Sequence, residues 1–303
     1  MTDGPVPDAG RISRRALLAG GAGAALFVAA GGFGGEYELN HHPTLRKRLF
    51  GCGSTPAIPQ SDYTITTGTI QSSAMQAAIP WEVALPAGAD PSARLPLVLA
   101  LPGEGGNERQ FATDTGLPGY ATAAGLRLCF VSSGAVDSCY YHPRADGTDY
   151  FAFLVNELIP TVERRFRVGG DRSRRATYGS SMGGFGALLV AQQRPDLICA
   201  AVGSSPAVFP SYAAAITGHP HTFDSEADWQ RWGLWDHTAS MGRVPVRIDC
   251  GNADPFFPTA KALISRISGA TGQISSGCHE DSFWRRHATA QLQFLGQHLT
   301  TAR

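Results

Sequence analysis

Gly179-Ser180-Ser181-Met182-Gly183 lies between a short extended run, Arg174-Arg175-Ala176-Thr177-Tyr178, and an apolar run, Gly184-Phe185-Gly186-Ala187-Leu188-Leu189-Val190-Ala191, that reads as a buried helix. Strand, sharp G-x-S-x-G turn and helix, in that order, are the setting of a nucleophile elbow. Such a turn forces its serine into a strained conformation with the hydroxyl projecting from the sheet. Glycines two positions to either side let strand and helix pass close together. The pentapeptide alone arises by chance in a Gly- and Ser-rich chain, where it marks an ordinary tight turn. The flanking strand and helix favour Ser181 as a nucleophile.

Outward from this turn, strands alternate with helices. Leu95–Leu101 and Leu126–Val131 are continuous apolar runs, as strands buried on both faces of a parallel sheet require. Further strands are expected at Arg174–Tyr178, Ile198–Gly203 and Val244–Cys250, with an opening antiparallel pair at Tyr63–Ile70 and Ala78–Leu85. Helices are expected over Asp149–Phe166, Met182–Gln193, Thr259–Ser268 and Phe283–Leu299. This alternation calls for an α/β fold, a mostly parallel sheet with helices on both faces.

A serine nucleophile needs a base to take its proton and an acid to orient that base. Asn252-Ala253-Asp254-Pro255 leaves the C-terminal end of the Val244–Cys250 strand, where open α/β sheets place their sites, so Asp254 is the candidate acid. Asp249 is the runner-up but sits inside the strand, and Asp281 reads as a solvated loop residue. His279, in the loop Ser275–Glu280 before the last helix, is free to point back across the sheet and is the candidate base. The remaining histidines read as loop, surface or capping groups, except His142, which is a candidate pocket residue as much as a structural one. The tetrahedral intermediate requires backbone N–H donors. Met182 follows the nucleophile, and Glu104 lies in the Gly-rich turn Leu101-Pro102-Gly103-Glu104-Gly105-Gly106 after a buried strand.

These residues resemble the α/β-hydrolase-fold esterases of the esterase D type, related to feruloyl esterases and the mycobacterial mycolyltransferases, over roughly residues 64–299. The likeness rests on Gly179–Ala187, on Cys250-Gly251-Asn252-Ala253-Asp254, on His279-Glu280-Asp281-Ser282-Phe283-Trp284, and on Gln291-Leu292. It implies an α/β-hydrolase fold with Ser181 as nucleophile, Asp254 as acid, His279 as base, and Met182 and Glu104 as oxyanion donors. Two features depart from the pattern. Pro102 stands before Gly103 where many such esterases have His-Gly, and the Gly183-Gly184-Phe185-Gly186 elbow is unlike that of the mycolyltransferases.

Between two expected strands, Pro206–Gly242 holds three of the five tryptophans within seven residues. This aromatic-rich segment reads as a small cap, with Trp229 and Trp232 either lining an acyl or aryl pocket or packing the cap on its own core. The expected activity is hydrolysis of carboxylic esters, short- to medium-chain or lipid-like, through an acyl-enzyme. The alternatives are a cell-envelope acyltransferase using the same three residues and a non-catalytic exported binding protein. A serine peptidase of this fold would usually carry a recognition domain for which the chain has no room. No cofactor is called for.

The ends and the bulk composition set the context. Ser13-Arg14-Arg15-Ala16-Leu17-Leu18, followed by an Ala- and Gly-rich stretch with no charge until Glu36, matches a twin-arginine export signal over residues 1–35. Residues 36–60 read as an exposed linker and 61–303 as one catalytic domain, secreted or held at the membrane or cell wall by its N-terminal segment. With zero formal net charge and 17% charged residues, the chain has no electrostatic footprint for nucleic acid. Its six cysteines lack metal-ligand spacing, so no metal site is expected, and export would favour disulfides. Cys250 and Cys278 are the first candidate pair, tying two catalytic loops together, and Cys129 with Cys139 the second. Cys52 and Cys199 have no evident partner.

Overall fold

Val98, Leu99, Ala100 and Leu101 are all at most 1% exposed, because their strand is the middle of a sheet covered on both sides. The computed structural model describes residues 48–49, 51–90, 92–134 and 141–300. Its strands are β1 (Tyr63–Ser72), β2 (Ala77–Pro86), β3 (Leu97–Leu101), β4 (Cys129–Ser133), β5 (Arg175–Ser180), β6 (Ala200–Ser204), β7 (Val246–Gly251) and β8 (Thr271–Ser275). They form one eight-stranded sheet in the order β1-β2-β4-β3-β5-β6-β7-β8. From β4 to β8 every neighbouring pair is parallel, whereas β1, β2 and β4 run antiparallel. This is the α/β-hydrolase fold. The strand β8 was not legible as one: Thr271-Gly272-Gln273-Ile274-Ser275 is a partly exposed edge with little apolar signal.

The helices follow from the same alternation. They are α1 (Leu117–Ala123), α2 (a continuous run of Tyr150–Ala152, a π-helical Phe153–Leu158 and Ile159–Arg165) and α3 (Met182–Gln193). Then come α4 (Tyr212–Gly218), α5 (Glu226–Trp232), α6 (Thr238–Met241), α7 (Phe257–Arg266) and α8 (Asp281–His298). In α2 the wide turn ends two residues before Pro160, which lacks the N–H that would continue an α-helical ladder. Nearly every residue of α3 is buried, as its all-round apolar sequence demands. One core joins α2, α3, α7 and the cap to one face of the sheet. A second, containing Leu117, Tyr120, Leu292 and Leu295, joins α1 and α8 to the other.

The cap of α4–α6 sits over the C-terminal ends of the strands. Its first two helices are started by serines: Ser211 Oγ accepts from the Ala214 N–H at 3.1 Å, and Ser225 Oγ from the Asp228 N–H at 3.1 Å.

The disulfide differs from the expected Cys250–Cys278 pair. Cys278 is bonded to Cys52, not to Cys250. Cys250 belongs to β7 and turns its side chain into the core, where it remains a buried thiol. The loop after β8 instead presents Cys278 outward to residues 51–53, whose chain turns through Gly51 and Gly53 at φ +70° and +80°. Arg286 of α8 fastens the same segment, donating to the Cys52 and Ser54 carbonyls at 2.8 and 2.7 Å. Cys129 and Cys199 are buried thiols, and Cys139 lies outside the described residues, as does the segment 1–35.

Candidate active site

Ser181 stands between β5 and α3 with φ 56° and ψ −122°, a left-handed conformation that costs a non-glycine residue about 1–3 kcal/mol. The surroundings hold it there. Its N–H donates to Ser204 O of the adjacent strand at 2.9 Å, and its carbonyl accepts from the Ala207 N–H at 2.9 Å. The two glycines of the pentapeptide have steric reasons. A Cβ on Gly179 would lie 2.0 Å from Gly183 O, and one on Gly183 would lie 1.7 Å from Leu101 O. No side chain fits at either place.

Asp254 and His279 reach Ser181 from the loops after β7 and β8. Those loops are stitched to each other, since Asn252 N–H donates to Ser275 O and Ala253 N–H to Gly277 O at 2.8 and 2.9 Å. The Asp254 side chain is fully buried and its Oδ1 accepts from the Phe256 N–H at 2.8 Å. Its Oδ2 lies 2.8 Å from His279 Nδ1, and His279 Nε2 lies 2.7 Å from Ser181 Oγ. A carboxylate only accepts, so the imidazole carries its proton on Nδ1 and offers a bare Nε2 to the serine hydroxyl. The ring is held between Phe256 and Trp284, with centroids 5.3 and 5.5 Å away. A ring nitrogen able to accept thus meets the serine in hydrogen-bond contact, the arrangement that raises hydroxyl nucleophilicity.

Asp249, the other acid considered, is spent on structure. It pairs with Arg247 at 2.8 and 3.0 Å and accepts from Gln291 Nε2 at 3.0 Å. Gln291 also accepts from Tyr178 OH at 2.9 Å, linking α8 to β5. Cys250 lies beside Asp254. Burial pushes its thiol well above the usual range and the Asp254 charge adds to this, so it stays protonated.

The turn after β3 passes over Ser181. A Cβ on Gly103 would meet Ser181 Cβ at 3.4 Å. Gly103 N–H is already committed to Gln110 Oε1 at 3.0 Å, which leaves the Glu104 amide as the loop's next donor. Met182 is the first residue of α3, where an N–H has no intrahelical acceptor. The Glu104 carboxylate reaches across to His219 Nδ1, 3.1 Å away at the end of α4.

A cleft of about 840 Å³ opens at Ser181 and His279. Val208, Phe209, Pro210, Ala214, Pro255 and Phe256 supply an apolar side, and Glu104, Asn107, Asp114 and Asp281 a polar one. Asp281 is therefore no solvated loop residue. It opens α8 half-buried at the cleft, and burial pushes its carboxyl up against the opposing pull of Arg285, with the charges of Asp114 and Glu280 adding.

Three expected substrate contacts are displaced. His142, Trp229 and Trp232 do not line this cleft. His142 is fully buried, bonded through Nε2 to Asp228 Oδ2 at 3.0 Å and stacked on Phe223 at 4.9 Å. Trp232 packs nearby, 6.5 Å from the His142 ring, and Trp229 is buried beneath the cap. They fasten the cap to the body because the cap needs its own apolar underside to stay folded. The cleft's aromatics come instead from Phe209, Phe256 and Trp284. The last two could have been flagged by position, two residues after the acid and five after the base.

A family model described as "Putative esterase" matches residues 72–277. A ferulic acid esterase of known structure superposes with a TM-score of 0.67 at 21% identity, over 79% of this chain and 100% of its own. An S-formylglutathione hydrolase from Agrobacterium tumefaciens gives 0.66 at 18% identity, over 82% of this chain and 99% of its own. MPT51 of Mycobacterium tuberculosis gives 0.63 at 15% identity, over 78% and 99%. At these identities the likeness is one of fold.

Proposed function

We propose that this chain, which belongs to the putative esterase family, is an exported serine esterase acting on neutral carboxylic esters through an acyl-enzyme on Ser181. The observation that carries the reading is His279, within 2.8 Å of both Asp254 and Ser181. Substrate binds with its acyl part on the Phe209 and Phe256 side of the cleft. Ser181 Oγ attacks the ester carbonyl while its proton passes to His279 Nε2, and Asp254 stabilises the imidazolium through Nδ1–H. The carbonyl oxygen becomes an oxyanion that accepts from the Met182 and Glu104 amides, each worth roughly 3 kcal/mol to the transition state. Collapse breaks the ester C–O bond, and His279 returns the proton to the departing alcohol. Water then attacks the acyl-serine by the same route, releasing the acid and restoring Ser181.

An apolar side of about half a dozen residues suits short to medium acyl chains or lipid-like esters. The twin-arginine pattern of residues 13–18 and the Cys52–Cys278 bond both suit an oxidising compartment outside the cytoplasm. The test is turnover of p-nitrophenyl esters from acetate to palmitate by the full chain beside Ser181→Ala, with fluorophosphonate labelling of both. Turnover and labelling lost together in Ser181→Ala are expected. Equal turnover by the variant would sink the reading, and labelling without turnover would point to acyl transfer instead.

A further inference from the structure

Gln110 lies in the π-helical stretch Gln110–Thr115, and its side chain reaches back to the active centre. It is 8% exposed, and both ends of its amide are used. Oε1 accepts from the Gly103 N–H at 3.0 Å, and Nε2 donates to Ser180 Oγ at 3.3 Å. The backbone N–H can only donate, so the orientation of the amide is fixed by chemistry. One side chain thus joins the turn that carries one oxyanion donor to the residue directly before the nucleophile.

The turn has few other restraints. Gly103, Gly105 and Gly106 bring no side chains, and Gly105 adopts φ +71°. Such a segment samples many conformations unless something holds it. Its internal bond runs from Gly106 N–H to Gly103 O at 3.0 Å, and Tyr141 OH donates to Pro102 O just before it at 2.7 Å. The Glu104 contact with His219 is solvent-exposed, which makes it weak. Gly106 is itself shaped to admit the amide, since a Cβ there would lie 2.1 Å from Gln110 Oε1.

Taking Ser181 as nucleophile, we infer that Gln110 is a positioning residue that sets the Glu104 N–H toward the oxyanion by clamping the Gly103 turn to the elbow at Ser180. Gln110 also borders the cleft, but the two ends of its amide are turned to Gly103 and Ser180 and not to the Ser181 hydroxyl. Its effect therefore falls on the transition state, where preorganised donors act, and little on ground-state binding.

The test uses the full chain with Gln110→Met, which keeps the volume but removes both hydrogen bonds. Two quantities are read: kcat and KM on a p-nitrophenyl ester, and the inhibition constant of a trifluoromethyl ketone, to whose carbonyl Ser181 adds to form an oxyanion. The expected result is kcat down ~10–100-fold with KM within about 3-fold, and the ketone weakened by the same factor as kcat. Unchanged kcat would overturn the inference, as would a fall in kcat that leaves the ketone's affinity intact. Should Gln110→Met fail to fold, Gln110→Asn keeps a buried amide one methylene too short to span both contacts, and the same two numbers decide. Wild-type protein without turnover or labelling would bring down the esterase reading and this inference together. Active wild type beside an unimpaired variant would bring down the inference alone.

Discussion

The α-carbon of Gly183 faces the carbonyl of Leu101 so closely that a Cβ would stand 1.7 Å from the oxygen. The contact joins the first turn of α3 to the end of β3, so the turn at Ser181 and the glycine-rich turn after β3 share one wall. Leu101 O is backbone in a central strand and cannot swing away. Gly183→Ala is therefore expected to lose upward of about 4 kcal/mol or to give no soluble protein. Gly269→Ala is the control: φ is +74° there but nothing lies within 4 Å, so about 1 kcal/mol is expected. Thermal unfolding of the two variants compares them directly, and equal losses would contradict the steric account.

Asp254 and Asp249 separate catalysis from stability. Asp254→Asn keeps the shape but no longer holds His279 as the Nδ1–H tautomer, so kcat should drop by ~10³–10⁴ with the fold intact. Asp249→Asn leaves Arg247 and Gln291 without their carboxylate and should lower stability by about 3–5 kcal/mol. Steady-state kinetics and denaturant melts on both variants check the division. A fold-neutral Asp249→Asn with kcat as low as Asp254→Asn would reverse it.

How far the site was readable follows from where each residue gets its partners. Ser181 and Asp254 each sit just past an apolar strand end, and His279 lies in the loop before the last helix; local patterning suffices to find such places. The pairing of Cys278 did not follow, because Cys52 reaches it only through the path of a segment with no periodicity. Trp229 and Trp232 drew attention by density, yet composition does not say which face of a cap helix looks inward. Gln110 had no signal at all. Its bonds go to a backbone N–H seven residues back and to a serine 70 residues on, and neither leaves a mark in local sequence.

The cleft assignment predicts a contrast between two aromatic environments. Phe209→Ala and Phe256→Ala should raise KM for longer acyl chains several-fold while leaving acetate esters nearly unchanged, since each removes apolar contact area of the kind worth about 25 cal/mol per Å². His142→Ala should instead lower the unfolding midpoint, with KM at every chain length unmoved, because its bond to Asp228 and its stack on Phe223 hold the cap. A chain-length-dependent KM in His142→Ala would return that residue to the pocket.

Glu82 supplies a pH test. Burial within β2 pushes its carboxyl up, Arg109 opposes this and Glu108 adds to it. With the folded value above the unfolded one, the folded state binds the proton more tightly, so this group favours folding at low pH. That contribution is lost as pH rises from below the ordinary glutamate value through the raised one. Glu82→Gln should therefore gain stability relative to wild type on going from about pH 4 to pH 7. Denaturant midpoints at the two values measure it, and a variant whose difference from wild type does not change with pH would refute the assignment.

The bond between Cys52 and Cys278 can be opened chemically. Because Cys278 precedes His279, a reductant or Cys52→Ser should lower both the unfolding midpoint, by an amount equivalent to about 2–5 kcal/mol, and the rate of fluorophosphonate labelling at Ser181. Labelling that proceeds unchanged in fully reduced protein would mean that the base needs no such support.

That bond spans 226 residues, and its second cysteine lies beyond the last strand of the sheet. During synthesis Cys52 emerges early and must wait for nearly the whole chain before its partner exists. Four other thiols are produced in the interval, and the three among the described residues, Cys129, Cys199 and Cys250, finish enclosed. The order of emergence therefore makes the correct linkage a record of completion: oxidising conditions met before the sheet closes find only wrong partners for Cys52, and conditions met afterwards find Cys278. A chain that folds first and is oxidised second keeps Cys129, Cys199 and Cys250 out of that competition.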